Sequence, residues 1–454
     1  MVLLLSTYEL GRQPFGLASP AAWLRRAGVE VHAADLSRDK LSRVPVERAA
    51  LVAFYLPMHT ATRLALPVID RVRSRNSRAH LCAYGLYAPL AADRLRAHGV
   101  QTILGPEFEA ELTALASGQV SETGPVTKGS DPFVPRLDFV TPDRSGLPGL
   151  DRYAALQMPD GTRRVAGYTE ASRGCKHRCR HCPIVPVYDG QFRVVSHAVT
   201  LDDIAAQVDR GAAHITFGDP DFFNGPTHAR RLVEAVAARF AGLTYDVTIK
   251  VEHLLRHAKH LPALRDTGCL FVTSAVEAVD DRILEIFDKC HTRDDFVRVV
   301  SLLRGTGLNL NPTFVTFSPW LTLQGYHDLL ATILELDLVG NVSSIQYAIR
   351  LLIPRGSRLL ELPLVQEFVG AFDPAALVYP WTHPDPRMDR LHEQVLALVG
   401  GTFGESEDRY ATFARVWDLT ERARDAATSD PFALVPQAAS SREPIPHLSE
   451  PWYC

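Results

Sequence analysis

Short apolar runs alternate with helical patterns over most of the chain, and this alternation constrains the fold more than any other feature. The first 118 residues contain five strand candidates, each followed by a connection long enough for a crossover, at residues 2–6, 29–33, 50–55, 81–84 and 101–104. Strands connected in this way form a parallel sheet with helices on its faces. Residues 1–118 therefore predict a Rossmann-like, doubly wound α/β domain, with a ligand site outside the carboxyl ends of the strands.

A second alternation follows a segment that is dense in Gly, Pro, Ser and Asp. That segment, residues 119–165, is typical of a linker that runs over the surface and packs between two domains. Strand candidates then recur at residues 166–171, 214–218, 245–250, 270–275, 308–316 and 344–351. Six βα units over residues 166–352 predict a partial or full TIM-like barrel, whose chemistry would lie at the carboxyl ends of its strands. Residues 353–454 predict a mostly helical extension with a tail rich in Pro and Ser.

Charge, hydrophobicity and cysteine usage exclude several classes of protein. The 48 Lys and Arg residues against 52 Asp and Glu give a net charge of −4, which argues against a nucleic-acid partner. No apolar run approaches the roughly 18 residues of a membrane span, and the apolar start is too short for a signal peptide. Seven cysteines, three of them clustered, favour a metal or redox site in a reducing, cytoplasmic compartment over a disulfide scaffold.

The clustered cysteines are Cys175, Cys179 and Cys182, and their spacing is Cys-x3-Cys-x2-Cys directly after a predicted strand. Three thiolates on one short loop can converge on three irons of a cubane cluster and leave the fourth iron open. The alternative is a zinc site, for which His177 or His181 would supply the fourth ligand.

This cysteine spacing after a first barrel strand resembles the signature of radical S-adenosylmethionine (radical SAM) enzymes. The resemblance implies a [4Fe–4S] cluster whose open iron is chelated by S-adenosylmethionine, and reductive cleavage of the sulfonium to a 5′-deoxyadenosyl radical. The family usually has an aromatic residue before the third cysteine, and His181 takes that place in this chain.

Further motifs resemble the places where this family contacts S-adenosylmethionine. The segment Phe217-Gly-Asp-Pro-Asp-Phe222 resembles the second-strand motif, with Asp219 and Asp221 at its acidic positions. By the same resemblance, Lys250 or Glu252 would face the ribose and Glu277 would meet the cofactor. The ordinary alternatives are turn formation or helix capping for the two aspartates, and salt bridges at the barrel rim for the other three residues.

A Rossmann-like domain ahead of such a barrel resembles the cobalamin-binding subclass of the family. The D-x-H-x-x-G loop, whose histidine replaces the lower ligand of cobalt, has no counterpart here, and Tyr8 and Glu9 stand in its place. The resemblance implies cobalamin bound without that histidine, and His59 is a candidate polar contact. The alternative is a degenerate domain that only packs against the barrel.

The chain ends in Pro-Trp-Tyr-Cys454 after a Pro-rich stretch. This ending is similar to that of the radical SAM proteins named for a CUAEP or CCAEP tail, in which a selenocysteine or a second cysteine follows the tail's first cysteine. We expect that the sequence is truncated at a selenocysteine codon, with Cys454 as a catalytic, soft-element-binding or redox residue.

Together these resemblances imply a radical SAM enzyme that carries out cobalamin-dependent methyl or alkyl transfer. The alternatives are cobalamin-independent transfer of the adenosyl or aminocarboxypropyl group with the first domain as scaffold, and a zinc-stabilised binding protein without catalysis. The expected partners are a small-molecule or peptide substrate and a reductant such as flavodoxin or ferredoxin, with neither nucleic acid nor membrane.

Overall fold

A parallel five-stranded sheet forms the first part of the protein. The computed structural model describes residues 1–119, 137–400, 408–427, 430–434 and 444–450. The sheet has the order β2-β1-β3-β4-β5, and its strands are β1 (Val2–Ser6), β2 (Val31–Asp35), β3 (Leu51–Tyr55), β4 (His80–Tyr84) and β5 (Thr102–Ile103). Its helices are α1 (Phe15–Arg26), α2 (His59–Arg75), α3 (Ala92–Ala97) and α4 (Glu109–Ala116).

Both faces of this sheet are buried, as a doubly wound domain requires. Leu3 and Leu5 of β1 pack into the apolar cluster on one face, and Val2 and Leu4 pack into the cluster on the other. Successive side chains of a strand point to opposite faces, so the continuous apolar run of β1 supplies both layers. The predicted doubly wound domain is confirmed.

A second sheet has the order β13-β12-β11-β10-β7-β6-β14. Its strands are β6 (Ala155–Gln157), β7 (Arg163–Thr169), β10 (His214–Phe217), β11 (Thr244–Thr248), β12 (Cys269–Glu277), β13 (Asn309–Phe314) and β14 (His447–Leu448). From β7 to β13 the neighbouring strands are parallel, whereas β6 and β14 are added antiparallel at the edge. A separate hairpin consists of β8 (Ser172–Gly174) and β9 (Phe192–Val194).

Helices cover the outer face of the second sheet, and the largest apolar cluster of the protein lies between the two layers. These helices are α6 (His197–Val208), α7 (Pro226–Arg239), α8 (Val251–Arg256), α9 (Leu261–Asp266), α10 (Asp281–Phe287), α11 (Arg293–Thr306), α12 (Leu323–Glu335), α13 (Pro363–Gln366), α14 (Pro386–Gly400) and α15 (Arg409–Ala423). The short helix α5 (Val185–Tyr188) instead packs against Leu86 and Leu90 of the first domain. The curled parallel sheet with its helical layer is the predicted partial barrel. Among the described residues, no helix combines the length and hydrophobicity that crossing a membrane requires.

Three details differ from the sequence predictions. The sixth predicted strand, residues 344–351, is a 3₁₀ turn over Ser344–Ala348 followed by a single parallel bridge between Phe317 and Arg350. The reason is a side chain: the amide oxygen of Gln346 accepts a hydrogen bond from the backbone nitrogen of Phe314 at 2.9 Å, in place of a partner strand.

The apolar pattern of residues 280–304 predicts one helix, whereas the structure has two, α10 and α11. Asp288 and Cys290 between them have φ values of 56°, in the left-handed region that ends a helix. Thr292 and Asp295 then start α11 with a reciprocal capping box.

The predicted linker adds strands to the second sheet as well as packing between the two domains. Its residues 155–157 form β6, and residues 163–165 begin β7. Arg144 is 2% exposed and joins the domains, since its guanidinium donates to Asp203 at 2.7 Å and to Gln13 at 2.8 Å. The proposed domain limits at residues 118, 165 and 352 remain predictions.

Candidate active site

The three clustered cysteines lie on a loop that is closed at its base by the β8–β9 hairpin. Gly174 ends β8 with a φ of 75°, and a Cβ at this position would lie 2.5 Å from the carbonyl oxygen of Gln191 and from the ring of Tyr188. Glycine is therefore required directly before Cys175, by conformation and by space. The far side of the loop is fixed by Arg180, whose backbone nitrogen donates to the carbonyl oxygen of Phe287 at 2.9 Å.

Cys179 is buried, Cys175 and Cys182 are half-buried, and all three are free of disulfide bonds. Burial, with the charge of Asp221, raises the pKa of Cys175 to about 11. Burial, with the neighbouring Cys179, raises the pKa of Cys182 to about 12. Binding of iron would displace the protons from these two thiols.

Glu277, the last residue of β12, contacts two groups at the cysteine loop, the ring of His181 and the ammonium of Lys289. The carboxylate of Glu277 lies 3.1 Å from Nε2 of His181 and 3.3 Å from Nζ of Lys289. Although burial opposes it, the charge of Lys289 and the hydrogen bond from His181 lower the pKa of Glu277 to about 2. Glu277 has a φ of 70° next to a register shift in β12, an uncommon conformation for a non-glycine residue that aims its side chain at the loop.

Lys289 also lies at the cysteine loop, although the sequence motifs did not place it among the site residues. Its side chain is 4% exposed, and the charges of Glu277 and Cys179 raise its pKa against the effect of burial. A buried cation beside three cysteines offsets the negative charge of an iron–sulfur cluster. Cys290 follows an apolar helical pattern, which favours a packing residue, yet the residue is exposed.

The two acidic positions of the motif after β10 do different things. Asp219 ties the turn between β7 and β8, because its carboxylate accepts from the backbone nitrogen of Ala171 at 2.9 Å and from Oγ of Ser172 at 2.5 Å. Burial raises the pKa of Asp219 to about 7. Its carboxylate is occupied within the protein, whereas that of Asp221 points toward the cysteine loop.

Asp221 brings together two histidines that the sequence predictions did not place in one cluster. Its Oδ2 lies 3.1 Å from Nε2 of His177 and 2.7 Å from Nδ1 of His253. Although burial opposes it, the hydrogen bonds from these histidines lower the pKa of Asp221 to about 2. On the other edge of the His177 ring, Nδ1 lies 3.3 Å from Nζ of Lys250 and 3.6 Å from Oε2 of Glu252. Lys250 and Glu252 thus meet the cysteine loop through His177.

The carboxyl edge of the first sheet faces the same loop. Arg173, two residues before Cys175, lies 2.7 Å from Glu109 and 3.5 Å from Glu107 of the first domain. The hydroxyl of Tyr188, just after the cysteines, donates to Glu107 at 2.9 Å. The carboxyl ends of both sheets therefore meet at the cysteine loop.

The residues proposed for cobalamin lie at this first edge. Glu9 is buried, its Oε2 has no hydrogen-bond partner, and burial with the charge of Glu170 raises its pKa well above the ordinary value. Tyr8 precedes it on the same loop. His59 begins α2, and its Nε2 lies 2.6 Å from the carbonyl oxygen of Ala376, so that this ring meets a loop of the C-terminal extension.

The last described part of the tail is anchored to both domains. The backbone nitrogen of Ser449 donates to the carbonyl oxygen of Ala155 at 2.8 Å. Glu450 lies against Gly11 of the first domain and 3.6 Å from Arg38. Cys454 lies outside the described residues, and its proposed role stays a prediction.

Comparison with known proteins agrees with this geometry. Residues 169–333 match the radical SAM superfamily. The chain carries a radical SAM domain. That domain spans β7 to α12 and includes the cysteine loop, Asp221, Lys250 and Glu277, and it implies a [4Fe–4S] cluster and S-adenosylmethionine as cofactors. The predicted resemblance to radical SAM enzymes is confirmed. The alternative interpretation of the cysteine loop, a zinc-stabilised binding protein without catalysis, is not supported.

Three relatives extend the likeness beyond the radical SAM domain. The hopanoid C-3 methylase of Methylococcus capsulatus is 25% identical over 328 residues, which cover 68% of this chain but only 62% of that enzyme. The structure of the cobalamin-dependent S-adenosylmethionine radical enzyme OxsB, with aqua-cobalamin and S-adenosylmethionine bound, has a TM-score of 0.71 at 14% identity, over 93% of this chain and 70% of that one. The radical S-adenosylmethionine methyltransferase TsrM from Kitasatospora setae has a TM-score of 0.62 at 16% identity, over 95% and 96% of the two chains. At these identities, the two structures show that the fold is shared.

Proposed function

We propose that this protein is a methyl- or alkyl-transferring radical SAM enzyme that uses cobalamin as the carrier of the transferred group. The observation that carries the proposal is the meeting of two carboxyl edges, because each edge is where its fold class binds ligands. Arg173 and Tyr188 contact Glu107 and Glu109 within a few residues of the cysteines. A carrier on the first sheet would then lie beside the radical chemistry on the second.

The second edge fits a cluster and S-adenosylmethionine. Cys175, Cys179 and Cys182 supply three thiolates, and Lys289 supplies the compensating charge. Nδ1 of His181 and Nδ1 of His291 are buried without a hydrogen-bond partner, which suits a polar ligand at this place. When bound, these cofactors supply reductive cleavage of the sulfonium; Glu277 holds the ring of His181 in place, and Asp221 holds the ring of His177.

The first edge fits a ligand with many hydrogen-bond donors. Oγ of Ser6 and Oε2 of Glu9 are buried without hydrogen-bond partners. The carboxamide groups around a corrin ring are donors of the kind that these oxygens lack. Ser6 and Glu9 would accept hydrogen bonds from these groups, and pairing of the two buried oxygens would favour binding.

A second candidate function uses the first domain as a scaffold for cobalamin-independent transfer. The direct contact between Arg173 and Glu109, at 2.7 Å, favours it, because such a contact holds the domains together without a ligand. In both cases we propose a cytoplasmic enzyme with a small-molecule or peptide substrate, reduced by a flavodoxin or ferredoxin.

Anaerobic purification from cells supplied with hydroxocobalamin tests the proposal. We expect bound corrinoid, seen by its visible absorbance after desalting, in near-stoichiometric amount with the iron–sulfur cluster. A Glu9→Leu variant should lose corrinoid and keep the cluster, while Glu47→Leu, at an exposed position of the same domain, should keep both. A wild-type protein with a full cluster and no corrinoid would support the scaffold function instead.

A further inference from the structure

The cluster formed by His177, Asp221 and His253 has no role in the proposed transfer beyond holding the loop. These residues come from three separate segments: the cysteine loop, the turn after β10, and α8. Nε2 of His177, Oδ2 of Asp221 and Nδ1 of His253 all lie within 4.8 Å of one another. His253 is fully buried and Asp221 is 1% exposed.

The spacing of the three atoms matches the requirement of a small divalent metal. They are separated by 3.1 Å, 2.7 Å and 3.5 Å. Metal bonds of about 2.1 Å at angles between 90° and 109° place ligand atoms roughly 3.0 to 3.4 Å apart. Small rotations of the two rings would therefore bring all three atoms into bonding distance.

The charges around His177, Asp221 and His253 also suit a divalent ion. Asp221 and Glu252 bring two negative charges and Lys250 brings one positive charge, and Glu252 lies 3.8 Å from Lys250. A divalent ion changes this local sum from −1 to +1. Glu252 also lies 3.6 Å from Nδ1 of His177, the ring nitrogen outside the trio, which is the place of the carboxylate that commonly orients a metal-bound histidine.

We propose that His177, Asp221 and His253 form a mononuclear site for a divalent transition metal such as Zn²⁺ or Fe²⁺, separate from the iron–sulfur cluster. Two imidazoles and one carboxylate are ligands that these metals accept. The metal would cross-link the cysteine loop to the turn after β10 and to α8. This site does not depend on cobalamin or on the transferred group.

Cobalt binding to the cluster-loaded protein tests the site. The wild-type protein, reconstituted anaerobically and passed over a chelating resin, is titrated with Co²⁺ and desalted. We expect about one equivalent of Co²⁺ with visible d–d bands. His253→Gln should weaken binding at least tenfold at unchanged cluster absorbance. His257→Gln is the matched control, because its ring lies 5.3 Å from that of His253 and outside the trio, and it should bind Co²⁺ like the wild type.

X-ray absorption of the wild-type protein loaded with Co²⁺ or Zn²⁺ decides the question even if the variant does not fold. The proposal requires nitrogen and oxygen neighbours at about 2.0–2.1 Å. A sulfur shell near 2.3 Å would show that the added metal occupies cysteines, and would overturn the proposal. So would the absence of bound metal in the wild type, or full retention of Co²⁺ by His253→Gln. Corrinoid content plays no part in these readouts, so that the proposed function and this site fail separately.

Discussion

The two carboxyl edges that meet in this protein differ in how their buried acidic groups are paired and in the pKa that results. At the second sheet, Glu277 lies against Lys289 and His181, Asp221 lies against two histidines, and the pKa of each carboxyl is about 2. At the first sheet, burial raises the pKa of Glu9 and of Asp35, and Oε2 of Glu9 has no hydrogen-bond partner. The second edge is therefore organised in advance for its ligand, whereas the first edge needs a ligand or protons to satisfy it.

Removing one cysteine tests the second edge most severely. Cys179→Ser should abolish the cluster absorbance and reduce cleavage of S-adenosylmethionine by roughly a thousandfold or more, because two thiolates do not hold a site-differentiated cubane. Cys82→Ala, at a buried cysteine of the first sheet, should retain both properties. Normal cleavage by Cys179→Ser would remove the loop from the mechanism.

Removing the buried cation Lys289 tests whether it stabilises the carboxylate of Glu277 at the second edge. Lys289→Met leaves Glu277 paired only with His181 in the interior, and we expect a loss of about 3–5 kcal/mol in the free energy of unfolding. The double variant Lys289→Met/Glu277→Gln should recover much of this loss, because no uncompensated charge remains. Urea unfolding measures both, and equal stability of the single and double variants would show that the pair is not coupled.

The glycine that begins the cysteine loop is expected to have a smaller effect. Gly174→Ala places a methyl group against Gln191 and Tyr188 at a φ of 75°, which should cost roughly 1–3 kcal/mol. Iron content per chain should fall with it. Gly161→Ala, also at a positive φ but with open space around it, separates strain of the backbone from collision: equal losses in both variants would contradict the steric argument.

We expect the smallest effect on stability, with a characteristic pH dependence, from a substitution at the first edge. The pKa of Glu9 is raised in the folded protein, so its contribution to stability is fully present below the unfolded pKa and is lost as the pH rises toward the folded pKa. Glu9→Gln should therefore be more stable than wild type at pH 8 by on the order of 1 kcal/mol, with a smaller difference near pH 5. Urea unfolding at both pH values checks this, and a difference that shrinks with rising pH would show that Glu9 is paired.

Local sequence patterns predicted the elements well wherever one strand or helix is decided by its own residues. The residues of β1 match the predicted strand 2–6, and the cysteine spacing alone located the second edge. The sixth barrel strand was wrong because the decisive partner, the side chain of Gln346, acts across 32 positions on Phe314.

The composition of the site was harder to predict than its location. His177 and His253 are 76 residues apart and meet only through Asp221, so no spacing rule connects them. Asp219 and Asp221 look equivalent in sequence, yet the register of β7 and β10 directs Asp219 into the turn before β8 and leaves Asp221 for the loop. Lys289 and Cys290 reach the loop because α10 ends at Phe287, a break that the apolar pattern of 280–304 conceals.

The most direct test of the central claim is chemical analysis of the anaerobic protein together with its reaction with S-adenosylmethionine and dithionite. The account predicts about four irons and four sulfides per cluster, and cleavage of S-adenosylmethionine that depends on Cys179. A cysteine loop filled with zinc, with no cleavage under reduction, would contradict it.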